Sequence, residues 1–130
     1  MKPGRHQVSA AAEASYLADV ALASNFDELL RRAEAAEQEF RRAQATAAPA
    51  SVQYPLASDL DKALTDVTRA AYAAERAEIG PRGYEDRIFF RKAKAKPEVR
   101  PLIADAERLL TLRENHRMNR IPEVPRQPSV

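Results

Sequence analysis

The chain has 130 residues, enough for one domain, with a formal net charge of only +2. It contains no cysteine, which excludes a disulfide framework, a thiolate metal site and a cysteine nucleophile. Roughly one residue in five is alanine, whereas Leu, Ile, Val and Phe together supply only about another fifth, so a lone chain has few large side chains for a core.

The N-terminal part of the chain predicts an irregular arm followed by a helix. Pro3 and Gly4 disfavour regular structure, and nothing periodic precedes Ser9, so residues 1–8 are predicted to be an arm. Ser9 is a good N-cap, and Leu17 and Val20 share one face of the pattern that follows. The first predicted helix therefore covers about residues 9–23.

Two longer helices are predicted next. Asn25 followed by Glu28 has the spacing of a capping box, which starts a helix over about 26–47, although one long bent helix over 9–47 is an alternative. Residues 48–57 contain two prolines and no periodicity, which predicts a connector. A third helix is then expected over about 58–79, ended by Gly80 and Pro81. The similar lengths of the two helices favour an antiparallel hairpin.

Apolar residues recur at spacings of three and four along this hairpin and define two seams. Such spacing places side chains on one helix face, and a strict repeat is typical of a coiled-coil-like seam that packs on another helix. Alanine lets helices approach closely but buries little area, so the seams form either the interior of one chain or a surface for another chain. The seam residues are Phe26, Leu29, Ala33, Ala36, Phe40, Leu60, Leu64, Val67, Ala71 and Ala74.

A basic half follows. Residues 1–80 carry nine Lys and Arg against twelve Asp and Glu, whereas residues 81–130 carry twelve against seven. Two shorter helices are predicted here, over about 84–94 and 98–118. Phe89 and Phe90 lie within this basic run. The run is consistent with a solvated helix face, or with a surface that binds a protein partner, nucleic acid or an anionic membrane. The residues of this basic patch are Arg87, Arg91, Lys92, Lys94, Lys96 and Arg100.

The end of the chain predicts an extended arm over residues 120–130. Pro122, Pro125 and Pro128 recur at every third position, a spacing that favours a polyproline-like conformation. An arm of this kind is ordered only when it lies on something else, which favours docking on a partner.

No catalytic or metal constellation is present in the sequence. His6 and His116 are the only histidines, and neither has a partner at metal-ligand spacing. The sequence also lacks a nucleophile elbow and a phosphate-cradling glycine loop. We therefore expect no enzyme activity, no cofactor and no small-molecule substrate.

Together these features predict an all-α protein: an Ala-rich antiparallel hairpin, a shorter basic helical pair packed at one end, and two extended arms. The favoured function is a structural or assembly subunit, for example in a viral particle, that binds protein partners or itself through its seams and arms. One alternative is a nucleic-acid-binding protein that uses residues 82–100. The other is an accessory subunit that regulates an enzyme. With no recognisable signal peptide or membrane span, we expect a cytoplasmic or virion location.

Overall fold

The computed structural model describes residues 7–120, except for the side chain of Arg120. Within that range the chain forms five α-helices and one short 3-10 helix and contains no strand, which confirms the predicted all-α class. In chain order the elements are α1 (Ala10–Ala23), α2 (Phe26–Ala45), α3 (Ala50–Ile79), the 3-10 helix (Pro81–Tyr84), α4 (Arg87–Ala93) and α5 (Arg100–Arg120).

Helix α3 is the centre of the fold, because α1, α2 and α5 all pack on it. The α1–α2 pair runs antiparallel to it: Asp19 of α1 meets Arg76 near the end of α3, and the start of α3 lies beside the end of α2. Helix α5 also runs antiparallel, since His116 near its C-terminal end contacts Ala57. Thus α5 extends along α3 and does not pack at one end of the hairpin only, because its buried and half-buried residues recur from Leu102 to His116.

The helix ends follow local chemistry at most positions. The Ser9 hydroxyl accepts a hydrogen bond from the Ala12 N–H at 3.1 Å, which confirms the predicted N-cap. Gly80 ends α3 with a φ of 99°, a conformation that glycine adopts easily. The capping box predicted at Asn25 is wrong, because its side chain makes no capping hydrogen bond to α2. A two-residue turn nevertheless separates α1 from α2.

Helix α2 ends in a Schellman motif that lacks its usual glycine. The Ala48 N–H donates to the Ala43 carbonyl at 2.9 Å, and the Ala47 N–H donates to the Gln44 carbonyl at 3.1 Å. Ala47 adopts a φ of 51° in the left-handed region, which is strained for a residue with a Cβ atom. The helix therefore ends two residues before the predicted position, and the turn into α3 needs only four residues.

Helix α3 begins at Ala50, eight residues before the predicted start, and contains Pro55. The prediction of a connector over 48–57 was wrong because it treated Pro55 as a helix breaker. Near a helix start, proline removes a single backbone hydrogen bond, and tertiary contacts compensate for it. Gln53 donates to the Ala48 carbonyl at 2.7 Å, and Ala57 is buried, with its carbonyl 2.8 Å from His116 Nε2.

The segment predicted to start a helix at residue 84 instead forms the 3-10 helix and then α4. The Asp86 carboxylate accepts a hydrogen bond from the Phe89 N–H at 2.9 Å and so caps α4, which delays its start to Arg87. Gly83 is required at the preceding turn because a Cβ there would lie 2.7 Å from Ile79 Cγ2. The 3-10 helix therefore packs tightly on the end of α3.

The apolar interior is thin and divided into two clusters. The larger joins α2, α3 and α5 around Val67 and Leu109, and the smaller lies where α4 and α5 meet the end of α3, around Ile79 and Val99. Only Leu109, Val67 and Val99 are large side chains with less than 2% exposure within the described range. None of the described helices is both long and apolar enough to cross a membrane.

Candidate functional surfaces

The structure brings the predicted seam residues together within one chain. Ala33 of α2 is buried against the α3 side of the seam, and Ala106 and Leu109 of α5 complete the cluster. Ala74 is half-buried and lines a small pocket with Phe26. The seams therefore form the interior of the hairpin, which was one of the two arrangements that the spacing allowed. The buried seam residues are Ala33, Leu60, Leu64, Val67 and Ala71, and those partly buried are Phe26, Leu29, Ala36, Phe40 and Ala74.

The charged face of α2 is neutralised by ion pairs within the helix. Arg31 lies 2.8 Å from Glu28, and Arg41 lies 3.4 Å from Glu37, at spacings of three and four residues. All four side chains are about half exposed or more, so water and salt screen each pair and its contribution to stability is small. This face is a solvated surface with balanced charge.

The basic patch differs from α2 because its charges are not balanced. Within residues 7–120, none of its six cations forms an ion pair, and Glu98 is the single acidic residue between Arg87 and Arg100. Arg82, just outside the patch, pairs with Asp86 at 3.3 Å. The positive charge of the segment from Arg87 to Arg100 is therefore exposed to solvent.

Three patch cations line one cleft at the end of α3. Arg87, Arg91 and Lys94 lie at successive spacings of four and three, so they share one face of α4. The cleft has a volume of about 440 Å³, and its other walls come from Arg76, Gly83, Tyr84 and Phe90. The structure thus joins part of the predicted patch to Arg76, a residue that the sequence analysis did not connect with it. Lys92, Lys96 and Arg100 lie outside the cleft.

The two phenylalanines of the patch are half-buried and covered by cations. Both pack against the cluster around Ile79. The Arg82 guanidinium lies 4.6 Å from the centroid of the Phe89 ring, and Lys94 Nζ lies 5.2 Å from that of Phe90. Both rings therefore contribute to packing at the end of α3, whereas Ile88 between Arg87 and Phe89 is 66% exposed.

A half-buried carboxylate ties α1 to the wall of this cleft. Asp19 accepts hydrogen bonds from Arg76 Nε at 2.7 Å and from the Tyr84 hydroxyl at 2.5 Å. Burial acts to raise the pKa of Asp19, but the hydrogen bonds and the charge of Arg76 outweigh it, so the pKa lies below its ordinary value. Burial and the bond to Asp19 raise the pKa of Tyr84. One carboxylate therefore links α1, α3 and the 3-10 helix.

A second carboxylate, Glu75, lies behind the cleft and is 4% exposed. Burial raises the pKa of Glu75 above its ordinary value, against the opposing influence of Lys94 and Arg76. Glu75 lies four residues after Ala71 and four before Ile79, so its spacing places it on the buried face of α3, but its charge predicts exposure to solvent. Only the packing of α4 and α5 around the end of α3 places it inside.

The outer face of α1 is a surface that the sequence analysis missed. Glu13 and Asp19 are the only charged residues in this 14-residue helix, and Asp19 points inward to Arg76. Leu17 is 56% exposed and Val20 is 40% exposed. The signal was available: α1 is apolar around its whole circumference, whereas a helix that packs on one side only is normally polar on the other. The exposed alanines beside them are Ala10, Ala11, Ala14, Ala18 and Ala21.

The remaining predicted residues do not assemble into a chemical site. His116 is buried, its Nε2–H donates to the Ala57 carbonyl, and its ring contacts Phe40 edge-on. Among residues 7–120, no group of three or more His, Cys, Asp or Glu is arranged to hold a metal ion. His6 and the predicted arm with Pro122, Pro125 and Pro128 lie outside the described residues.

Comparisons with protein-family models, with curated proteins and with solved structures each found no match to this chain.

Proposed function

We propose that this chain is a non-enzymatic structural subunit that joins a larger assembly by docking the outer face of α1 on another protein chain. The observation that carries this proposal is the exposure of Leu17 and Val20 on a helix face with one outward-pointing charge, Glu13. Contiguous exposed apolar surfaces are uncommon on monomeric proteins and mark interaction sites.

The contrast with α2 supports this reading. Helix α2 follows α1 after two residues and exposes mostly charged side chains that pair with one another. The apolar face of α1 is therefore a local feature and not the general character of the surface. The seams, which first suggested a partner, supply the interior of the hairpin in this proposal, and α1 supplies the contact.

Helix α1 is also held in a fixed position. At its N-terminal end, the Ser9 hydroxyl donates to the Glu85 carboxylate at 2.5 Å, and near its middle Asp19 is held by Arg76 and Tyr84. A preorganised surface loses little conformational entropy on binding, which favours affinity for a given contact area. The helix is a rigid edge of the fold and therefore suited to docking.

The partner that best fits this face is another uncharged helix face, because small side chains permit close approach and a charged partner would find no counter-charge. A second copy of the chain carries such a face, and two copies related by a two-fold axis would bury it on both sides. Assembly in a viral particle, and regulation of an enzyme through residues 120–130, would require features outside the described residues.

The test is the mass of the full-length chain in solution. We expect light scattering to give a mass that rises with concentration toward twice the 14.5 kDa of one chain, and a melting temperature that rises with it. The double substitution Leu17→Glu with Val20→Glu should give a monomer of unchanged helicity, because both side chains are exposed.

A matched control places the same charges elsewhere. Val52 and Met118 are 45% and 72% exposed and lie outside α1, so Val52→Glu with Met118→Glu should leave the mass unchanged. A wild-type mass that stays at 14.5 kDa, together with a cooperative melt at a concentration-independent temperature, would contradict the proposal. Equal loss of assembly in both double variants would also contradict it, because the effect would then be one of net charge.

A further inference from the structure

The face of α4 presents a concentration of positive charge that the assembly proposal does not use. Arg87, Arg91 and Lys94 point into one cleft, which Arg76 and Tyr84 border. The seven steps from Arg87 to Lys94 rise by about 10 Å along the helix axis, so the three cations form a row and not a point.

Three acidic residues near this row are already engaged or buried, and Glu98, the one acidic residue between Arg87 and Arg100, leaves a clear excess of positive charge. Asp86 caps α4 and pairs with Arg82, and Asp19 is bound to Arg76 and Tyr84 on the α1 side. Glu75 is buried behind the cleft, where burial disfavours its charged form. The positive row is thus left for an external anion, although the whole chain has a formal net charge of only +2.

We infer that this face binds the phosphate backbone of a nucleic-acid strand, without preference for base sequence. Guanidinium groups bind phosphate oxygens with two parallel hydrogen bonds, and Arg87 and Arg91 provide two such groups one helical turn apart. A strand fits better than a single small phosphate because Lys92, Lys96 and Arg100 extend the unpaired charge beyond the cleft. Repeated phosphates can engage cations inside the cleft and outside it.

The lack of base preference follows from the aromatic residues. Stacking on bases needs an open ring face, but Phe89 lies under Arg82 and Lys96, and Phe90 under Lys94. Both rings also pack on the cluster around Ile79. The contacts left for a ligand are therefore charges, which hold the backbone but do not read the sequence.

The expected salt dependence can be calculated. If each of the six unpaired cations neutralises one phosphate of a single strand, the slope of log K against log salt is about −4. Binding should then weaken on the order of 300-fold between 50 and 200 mM salt. Loss of three of those contacts reduces the slope to about −2 and the weakening to about 20-fold.

The experiment measures fluorescence anisotropy of labelled 20-nucleotide strands of thymidine or of adenosine with the full-length chain over this salt range. The triple variant Arg87→Gln, Arg91→Gln and Lys94→Gln should show the smaller slope. These side chains make no ion pair within the described range, so its far-ultraviolet circular dichroism should match the wild type.

The matched control removes three positive charges that are paired. Arg31, Arg41 and Arg42 each lie within 3.5 Å of a glutamate on α2, so their replacement by glutamine should leave the slope unchanged. An equal loss of slope in both triple variants would overturn the proposed site, since net charge alone would then explain binding. Undetectable binding of either strand at 50 mM salt would overturn it as well.

Other ligands give distinct results. Strong preference for one base would contradict backbone-only binding. Displacement of the strand by inorganic pyrophosphate at micromolar concentration would assign the cleft to a small phosphate, and retention of poly-glutamate but not of the strands would assign it to an acidic protein. Each of these results overturns the inference. The variant Leu17→Glu with Val20→Glu should keep strand binding, so this site and the α1 surface succeed or fail separately.

Discussion

Replacement of Asp19 by alanine tests whether one half-buried carboxylate holds α1 against the rest of the fold. Asp19 is 13% exposed and accepts hydrogen bonds from Arg76 Nε at 2.7 Å, from the second Arg76 nitrogen at 3.1 Å and from the Tyr84 hydroxyl at 2.5 Å. The substitution removes all three and leaves a guanidinium and a hydroxyl without this acceptor.

The magnitude follows from the burial of the two partners. A hydrogen bond to a charged group contributes about 1.5–3 kcal/mol, but the contributions do not add when the bonds share one acceptor. Arg76 is 40% exposed, so water replaces part of what it loses. We therefore expect the free energy of unfolding to fall by about 2–3 kcal/mol, which lowers the melting temperature by roughly 10 °C for a chain of this size.

The assay is thermal and urea unfolding followed by circular dichroism at 222 nm, with Glu28→Ala as the control. Glu28 also binds two arginines, but it is 52% exposed, so its loss should be much less destabilising than the loss of Asp19. The pH adds a second measurement. Because the pKa of Asp19 is lowered in the folded state, its contribution is present above the unfolded value of 3.8 and is lost as the pH falls through the folded value. The difference between wild type and Asp19→Ala should therefore shrink in acid.

A double-mutant cycle with Arg76→Ala decides the interpretation. A coupling free energy below about 0.5 kcal/mol between positions 19 and 76 would refute the reasoning, because the pair would then behave as an exposed surface pair. The same conclusion would follow if Asp19→Ala and Glu28→Ala were equally destabilising.

Two further predictions concern single positions elsewhere. Burial raises the pKa of Glu75 in the folded state. The contribution of its protonated form to stability is therefore present below the unfolded pKa of 4.5 and is lost as the pH rises through the folded pKa. Glu75→Gln should raise the melting temperature at pH 7, and a gain that persisted at pH 3 would contradict this. Ala47→Gly relieves a left-handed conformation and should stabilise the chain by up to about 1 kcal/mol, whereas Ala35→Gly at an exposed position in the middle of α2 should destabilise it by a similar amount, as chemical denaturation would show.

Several elements were readable from the sequence because they depend on neighbours within four residues. Ser9 caps α1 through its own side chain, and Gly80 ends α3 through its freedom at positive φ. The spacing of three and four also predicted that residues such as Leu60 and Leu64 share a face, and both are buried. Local geometry alone settles these features, so no knowledge of distant contacts was needed.

The tertiary structure decided what those faces contact. Alanine-rich seams let helices approach closely but bury little apolar area. Their spacing was therefore equally compatible with the interior of one chain and with an interface between chains. Helix α3 continues through Pro55, and beside this turn the Ala57 carbonyl accepts a hydrogen bond from His116, 59 residues away in sequence. Packing on α3 places the α4 cations beside Arg76. The same packing leaves Leu17 exposed. Sequence periodicity assigns a residue to a helix face, and long-range packing determines whether that face meets the core, a cleft or solvent.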